Sequence, residues 1–185
     1  MVKLNKIYTR TGDHGSAGLV DGSRVSKSSL RMTVIGEVDE ANSAIGVAIA
    51  ALGESLLAKR LLTIQNEMFD AGADVATPGE IDGALRIVAS QVERLEREID
   101  EMNAALGSLT SFILPSGSSA VAALHLARAV VRRAERAAVA LNGDEPLNPQ
   151  LLAYLNRLSD HLFVAARFVA KDEGGDVLWQ PGASR

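Results

Sequence analysis

Five long stretches with helical periodicity, separated by short loops, are the feature that most constrains the fold of this chain. The predicted helices cover about residues 28–52, 54–75, 87–106, 118–141 and 149–171. Gly53 and Gly107 can end the first and third helices, and Pro149 fits the first position of the fifth. Helices with short connections pack side by side, so the sequence predicts an all-α five-helix bundle.

The organisation along the chain is simple. With 185 residues, the chain is expected to form a single domain, 1–185. Residues 28–171 would form the bundle, 1–27 an irregular Gly-rich segment with a short strand near 3–9, and 172–185 a C-terminal tail. The turn after the fourth helix is placed at residues 142–146. A hydrophobic fraction of 47% with only 4% aromatic residues favours packed helices.

Composition excludes several classes of function. A net charge of −4 and a pI near 5.4 argue against a general nucleic-acid binder. The chain has no cysteine, which excludes disulfides, thiolate metal sites and cysteine nucleophiles and fits a reducing, cytoplasmic location. No apolar run reaches membrane-spanning length and no signal peptide precedes the Gly-rich segment, so neither membrane association nor export is expected.

The Gly-rich segment, residues 6–27, combines glycines and hydroxyl side chains with the cations Arg10, Arg24 and Lys27. Backbone N–H groups that converge at glycines, together with cations, are suited to a polyphosphate. An ordered Gly/Ser loop or a frayed terminus would have the same composition. The spacing is not that of a P-loop.

The fourth helix has charges where a core-facing stripe is expected. At about 100° per residue, one stripe contains Val121, Leu124, Arg128, Arg132, Glu135 and Val139, with Arg133 and Arg136 toward the flank. Since unpaired buried charges are costly, the stripe is expected to face a ligand, a partner or another subunit. The alternative is a solvated Arg132–Glu135 pair of little energetic weight.

Helix one has a similar irregularity. Asp39 shares a face with apolar residues and needs a cation, for which Arg128 is the candidate, either within the chain or between subunits. Glu37 and Glu40 are expected to be solvated. The third helix is the most charged and is expected to be the most exposed, so replacing Arg94 on it should affect phosphate binding little.

Helix five and the histidines give weaker signals. Asn156, Asp160, Phe163 and Arg167 form one side of helix five, which by itself indicates only a polar edge beside the core. His14, His125 and His161 lack metal-ligand spacing, so no metal site is assigned.

Three blocks carry a family resemblance: YTRTGDHGSAGL…GSRVSK…VIGEVDEANSAIG, then FILPSGS…LHLARAVVRRAER, then YLNRLSDHLFVAAR. In this order they resemble the PduO-type ATP:cob(I)alamin adenosyltransferases, the corrinoid adenosyltransferase family. The resemblance covers nearly the whole chain. It implies a homotrimeric transferase of cobalamin biosynthesis, with ATP and cobalamin bound between subunits.

The resemblance also implies roles for individual residues. Catalytic roles fall to Arg132, to Phe112 beside the corrin, and to Asp39 and Arg128 as an intersubunit salt bridge. The nucleotide would be bound by Thr9, Arg10, Thr11, Gly12, Ala17, Gly18, Lys27, Arg132, Arg133, Glu135, Arg136 and Asn156. Three positions depart from the family pattern, namely Ala17, Ala41 and Ser116. Because Ala17 replaces a hydroxyl, its contact is expected to use the backbone N–H.

The implied reaction is attack of Co(I) on C5′ of ATP, which gives adenosylcobalamin and releases triphosphate. N–H donors, Lys27, the arginines and Mg²⁺ would stabilise the leaving group. Phe112 would displace the lower axial ligand of cobalt, which eases reduction of Co(II). Expected partners are a reductase and an adenosylcobalamin-dependent enzyme. The rival functions are phosphoryl transfer from ATP, with Asp13 near the γ-phosphate, and non-catalytic binding of nucleotide or delivery of adenosylcobalamin.

Overall fold

The computed structural model describes residues 7–183 and 185, and it confirms the all-α five-helix bundle. The helices are α1 (Leu30–Leu52), α2 (Leu56–Val75), α3 (Ala89–Asn103), α4 (Ser119–Asp144) and α5 (Pro149–Lys171). No helix in these residues is long and apolar enough to cross a bilayer.

Side-chain caps start four of the helices. Ser29, Ser55 and Ser118 accept hydrogen bonds from the N–H three residues on, and Asn148 accepts one from Gln150. These caps satisfy backbone donors that have no partner within the first helical turn. Pro149 follows Asn148 at the first position of α5, as predicted.

The core is continuous and mostly aliphatic. Helix α1 packs against α2 and α4, α4 packs against α5, and α5 packs against α3. Tyr154 of α5 is the largest fully buried side chain, and its hydroxyl reaches Glu67 of α2 at 2.7 Å. The bundle thus brings α4 and α5, which carry the suspected site residues, side by side.

Two predicted helix bounds were wrong. Helix α3 ends at Asn103 rather than near residue 106, because residues 104 and 105 form a turn before Gly107. Helix α4 continues to Asp144, through the predicted 142–146 turn. Arg31 of α1 forms an ion pair with Glu145 at 2.6 Å and also donates to the carbonyl of Val75, so the end of α4 is tied to α1 and α2.

The N-terminal segment is more ordered than predicted. Two short antiparallel strands, β1 (Ser16–Gly18) and β2 (Arg24–Ser26), form a hairpin. The strand predicted near 3–9 lies partly outside the described residues, and residues 7–9 are not in a strand. The hairpin is anchored to the bundle where Val20 donates to the carbonyl of Ala76 at 3.0 Å.

A buried polar cluster corrects the interpretation of helix three. Arg94 forms ion pairs with Glu67 of α2 and with Glu98, and Glu98 also pairs with His161 of α5 at 2.8 Å. The Arg94 side chain is 23% exposed and His161 is fully buried. The expectation that helix three is simply exposed was therefore wrong at Arg94, because its charge neutralises carboxylates inside the bundle.

Candidate active site

The hairpin and the residues before it gather the donors expected at a polyphosphate. Thr9 and Thr11 join their hydroxyls at 2.9 Å. The ammonium of Lys27 lies so close to Gly12 that a Cβ added there would come 3.0 Å from Nζ. Lys27 also donates its N–H to the carbonyl of Gly15 at 2.8 Å. Thus Gly12 and Lys27, far apart in sequence, form one exposed corner.

Arg24 proved to be a structural cation. Its guanidinium donates to the carbonyl of Thr11 at 2.7 Å and to the carbonyl and hydroxyl of Ser16 at 3.1 and 2.8 Å. Arg24 therefore holds the loop together, and because its acceptors are neutral its positive charge stays in the segment as predicted. Arg10 and Lys27 remain as the cations directed outward.

The backbone N–H of Ala17 does not point outward, as a contact with the nucleotide would require. Gly15 bonds Lys27 and Leu19 bonds Ser23 across the hairpin, and hydrogen-bonded pairs alternate in an antiparallel ladder. Ala17 lies opposite Val25, so these two residues form a hydrogen-bonded pair, and the N–H of Ala17 points toward β2. The outward N–H groups are those of Ser16 and Gly18.

Arg10 has an unusual backbone. Its φ of 63° is the only positive φ among the non-glycine residues that the structure describes. Such a conformation costs free energy and is concentrated at functional sites. It places the guanidinium 5.7 Å from the centre of the Tyr8 ring, at the exposed surface of the loop.

A second cluster lies between α4 and α5. Asn156 of α5 donates to Glu135 of α4 at 2.8 Å, and Arg136 donates to the carbonyl of Arg132 at 3.0 Å. These four side chains and Val139 line a pocket of about 310 Å³. The structure therefore brings together the predicted Arg132, Glu135, Arg136 and Asn156. Glu135 bonds Asn156 of α5, so the site spans two helices and is not a solvated Arg132–Glu135 pair.

Arg133 is separated from this pocket. It forms ion pairs with Glu37 and Glu40 of α1, and these carboxylates raise the pKa of the guanidinium. The expectation that Glu37 and Glu40 are merely solvated was wrong. Because adjacent residues of a helix point about 100° apart, α4 presents Arg133 to α1 and Arg132 to the pocket.

Arg128 has no carboxylate partner within the described chain. Its buried Nε lacks an acceptor there, and burial and then the charge of Arg132 lower its pKa. Asp39 is exposed on α1, and the ion pairs found do not join it to Arg128. Of the two predicted pairings, the one within the chain is not formed.

Phe112 stands on the connector between α3 and α4 with 78% of its side chain exposed. The connector pairs with the C-terminal tail through an antiparallel bridge between Ile113 and Leu178. The ring of Phe112 meets that of Trp179 edge to face, with the centroids 5.9 Å apart. This pairing was not predicted from the sequence, although Gly174 and Gly175 before the apolar Val177–Trp179 run were a signal of a reversing chain.

A larger pocket, of about 800 Å³, lies between the loop after α2 and the turn before α5. Its cation, Arg86, pairs with the buried Asp74 at 2.7 Å and donates to the carbonyl of Thr77 at 3.0 Å. Since these contacts connect the loop to the helix, Arg86 has a structural role. The smaller pocket between α4 and α5 is therefore the better candidate for binding a phosphate-containing ligand.

The histidines do not form a metal centre. Among residues 7–183 and 185, no group of three or more His, Asp or Glu side chains is placed to hold a metal ion. His125 is buried against the Phe163 ring at 6.4 Å, and burial followed by the nearby Arg128 lowers its pKa. His14 is exposed on the loop.

Comparisons with known proteins agree with these features. The family model for cobalamin adenosyltransferase matches residues 7–169. The chain is 49% identical to a corrinoid adenosyltransferase of Mycobacterium tuberculosis, over 100% of this chain and 97% of that protein. A corrinoid adenosyltransferase of Bacillus subtilis is 46% identical, over 96% and 94%.

A solved structure has the same architecture. It is a variant of the PduO-type ATP:corrinoid adenosyltransferase from Lactobacillus reuteri complexed with cobalamin and ATP. It superimposes with a TM-score of 0.88 at 35% identity, and the match covers 95% of this chain and 99% of that one. Sequence and fold thus agree, and the chain belongs to the cobalamin adenosyltransferase family.

Proposed function

We propose that this protein transfers the 5′-deoxyadenosyl group of ATP to Co(I) of reduced cobalamin, giving adenosylcobalamin and triphosphate. The observation that carries the proposal is the pocket of Arg132, Glu135, Arg136 and Asn156 in a chain of this family. Two arginines beside a hydrogen-bonded Glu–Asn pair offer both charge for phosphate and polar groups for a nucleoside.

The nucleotide would be bound from two sides. In the described residues, the hydrogen bonds of residues 9–27 stay within the loop or reach the start of α1 and the end of α2. A pocket of about 310 Å³ lies at the lower end of the range for ligand pockets. Both facts support a site completed by the loop of a neighbouring subunit, and thus the homotrimer expected from the resemblance.

The unpaired Arg128 supports the same assembly. A half-buried guanidinium without an acceptor gains most from a carboxylate brought by another copy of the chain. Asp39 is exposed on α1 and would supply it.

Catalysis would consist of positioning and electrostatic stabilisation. Negative charge grows on triphosphate as the C5′–O bond breaks and the Co–C bond forms. Lys27, the hydroxyls of Thr9 and Thr11, and the outward N–H groups of the loop would stabilise that charge from one side, and Arg132 from the other. No proton must be removed, so the site needs no general base.

The corrin would lie against Phe112. An exposed phenyl ring has no ligating atom, so it can displace the lower axial ligand of cobalt without replacing it. Mg²⁺ enters the proposal only as the counter-ion of the triphosphate, since the described residues offer no cluster for it. A reductase, an adenosylcobalamin-dependent partner enzyme and a cytoplasmic location remain expectations from the resemblance.

The test is to mix the protein, ATP·Mg²⁺ and chemically reduced cobalamin and to follow the visible spectrum. Formation of a Co–C bond with release of inorganic triphosphate is the expected result. Release of phosphate or diphosphate would indicate phosphoryl transfer instead. Binding without a Co–C bond in a single turnover would indicate a delivery protein.

A further inference from the structure

The connector that carries Phe112 and the C-terminal tail form a small two-stranded ribbon. Leu114 donates its N–H to the carbonyl of Val177, and Trp179 donates its N–H to the carbonyl of Phe112, both at 2.8 Å. The hydroxyl of Ser111 donates to the carbonyl of Trp179 at 2.9 Å. The backbone of Phe112 is therefore fixed by hydrogen bonds to the tail.

An arginine side chain in turn fixes the tail to the bundle. Arg167, 8% exposed near the end of α5, pairs with Asp176 at 3.0 Å and donates to the carbonyl of Gly107 at 2.9 Å. Between them, Gly174 and Gly175 adopt φ values of 102° and 93°, which favour glycine and reverse the chain. One guanidinium thus holds the tail and the start of the connector together.

The side chains continue this arrangement. The rings of Phe112 and Trp179 meet at an interplanar angle of 63°, the edge-to-face geometry that aromatic pairs prefer. Trp179 is 44% exposed while Phe112 is 78% exposed. The indole therefore supports one side of the phenyl ring and leaves the rest of it open.

We propose that Trp179 is a positioning residue, which holds the ring of Phe112 in the orientation that excludes the lower axial ligand from cobalt. This rests on the proposed function, since it assumes that Phe112 meets the corrin. A phenyl ring on an exposed connector has several rotamers, and each rotamer lost before binding lowers the cost of ordering it in the complex. The tail supplies that order before the corrin arrives.

The chain offers a direct probe, because Trp179 is its only tryptophan. In the ligand-free protein, Phe112→Ala should shift the emission of Trp179, since the indole loses its aromatic neighbour. Val177→Ala is the matched control, because it removes apolar atoms from the same ribbon while the carbonyl that Leu114 uses remains. An emission spectrum unchanged by Phe112→Ala would overturn the contact on which the proposal stands.

Adenosylation is then measured from Co(II)alamin with a reductant and from prereduced Co(I)alamin. Trp179→Ala should slow the Co(II) route by about two- to tenfold, the range expected for loss of one edge-to-face pair. The Co(I) route and the KM for ATP should stay near wild type. Trp179→Phe should restore the Co(II) route, and Val177→Ala should leave both routes unchanged.

The outcomes separate this inference from the proposed function. Equal slowing of both routes, or a Co(II) route equal to wild type, would overturn positioning by Trp179 while adenosylation still occurs. A wild-type protein that makes no adenosylcobalamin from Co(I) would overturn the proposed function and this inference with it. If Trp179→Ala does not fold, Trp179→Leu is used instead, because it keeps apolar bulk without an aromatic edge. Its rates by the Co(II) and Co(I) routes are then compared with those of the wild type in the same way.

Discussion

The guanidinium carbon of Arg128 lies 5.9 Å from the centre of the Phe163 ring, so an α4 cation rests on an aromatic face of α5. Such a contact stabilises a cation only modestly, and burial still lowers the pKa of Arg128. The charge therefore remains without an anion in the described chain, which is the physical reason to expect one from outside it.

The first prediction concerns that anion. Asp39→Arg or Arg128→Asp alone should reduce both assembly and activity, because an interface charge left unpaired costs about 3–5 kcal/mol. The double exchange should recover part of the loss. Sedimentation and adenosylation rates are the measurements, and two fully active single variants of wild-type size would rule out the pairing.

The second prediction concerns phosphate binding. Lys27→Ala and Arg132→Ala should each weaken ATP binding or slow transfer by about tenfold to a hundredfold, the usual loss for one charge-assisted contact. Calorimetric titration with ATP and the transfer rate measure this. Arg97, exposed on α3, is the control, and an equal loss in Arg97→Ala would indicate general destabilisation.

The third prediction concerns Phe112. Phe112→Ala should impair the route that starts from Co(II) much more than the route that starts from Co(I), while ATP affinity changes little. Phe112→His should be worse, because imidazole can ligate cobalt. The EPR spectrum of Co(II)alamin bound to the protein together with ATP reports the coordination number of cobalt. A wild-type spectrum that stays five-coordinate would remove Phe112 from the mechanism.

The fourth prediction concerns the buried cluster around Arg94. Arg94→Ala removes the arginine that pairs with both Glu67 and Glu98, so the free energy of unfolding should fall by about 3–5 kcal/mol. Arg97→Ala on the same helix should change it by less than about 0.5 kcal/mol. Denaturant unfolding at neutral pH compares the two, and similar losses would mean that the cluster contributes no special stability.

The fifth prediction concerns pH. Burial raises the pKa of Glu98, but hydrogen bonds from His161 and Arg94 outweigh burial and bring the pKa below its usual value of 4.5. A lowered pKa in the folded state means that Glu98 stabilises the fold above about pH 4.5, and that this stability is lost as pH falls through the lower folded value.

Glu98→Gln should therefore flatten the acid limb of the stability curve, measured as the free energy of unfolding between about pH 6 and pH 3. The exposed Glu93 provides the control, since Glu93→Gln should keep the wild-type slope. Parallel acid limbs in all three proteins would show that Glu98 does not couple folding to pH.

Helix periodicity and helix-end signals were sufficient to predict the bundle, because each helix buries one face and four of the five begin at a side-chain cap. The pattern also located Arg132 and Glu135, since charges within an apolar stripe are visible without coordinates, whereas the role of Asn156 was indicated only by the family resemblance. The Lys27–Gly12 corner was not derivable, because the hairpin that joins them lies in a segment with almost no hydrophobic pattern.

The roles of individual cations could not be read from the sequence either. Arg24, Arg94 and Arg133 differ from Lys27 and Arg132 only in what lies next to them in space. From sequence alone, an arginine on a charged helix is predicted to be solvated, whether or not it forms an ion pair with a carboxylate of another helix, as Arg94 does with Glu67. The ribbon at Phe112 was missed for the same reason, since its two segments are distant in sequence and short.

The adjacent arginines of α4 set a limit on how the protein can be lengthened. One residue inserted between Arg128 and Arg132 would rotate the rest of the helix by about 100°, so Arg132 would take the bearing of Arg133 toward Glu37 and Glu40. The charge that it presents to the pocket between α4 and α5 would then be neutralised by α1 even if the helix formed perfectly. We therefore expect insertions and deletions in this family to occur in the loops between helices. Within α4, we expect substitutions that keep the length of the helix unchanged.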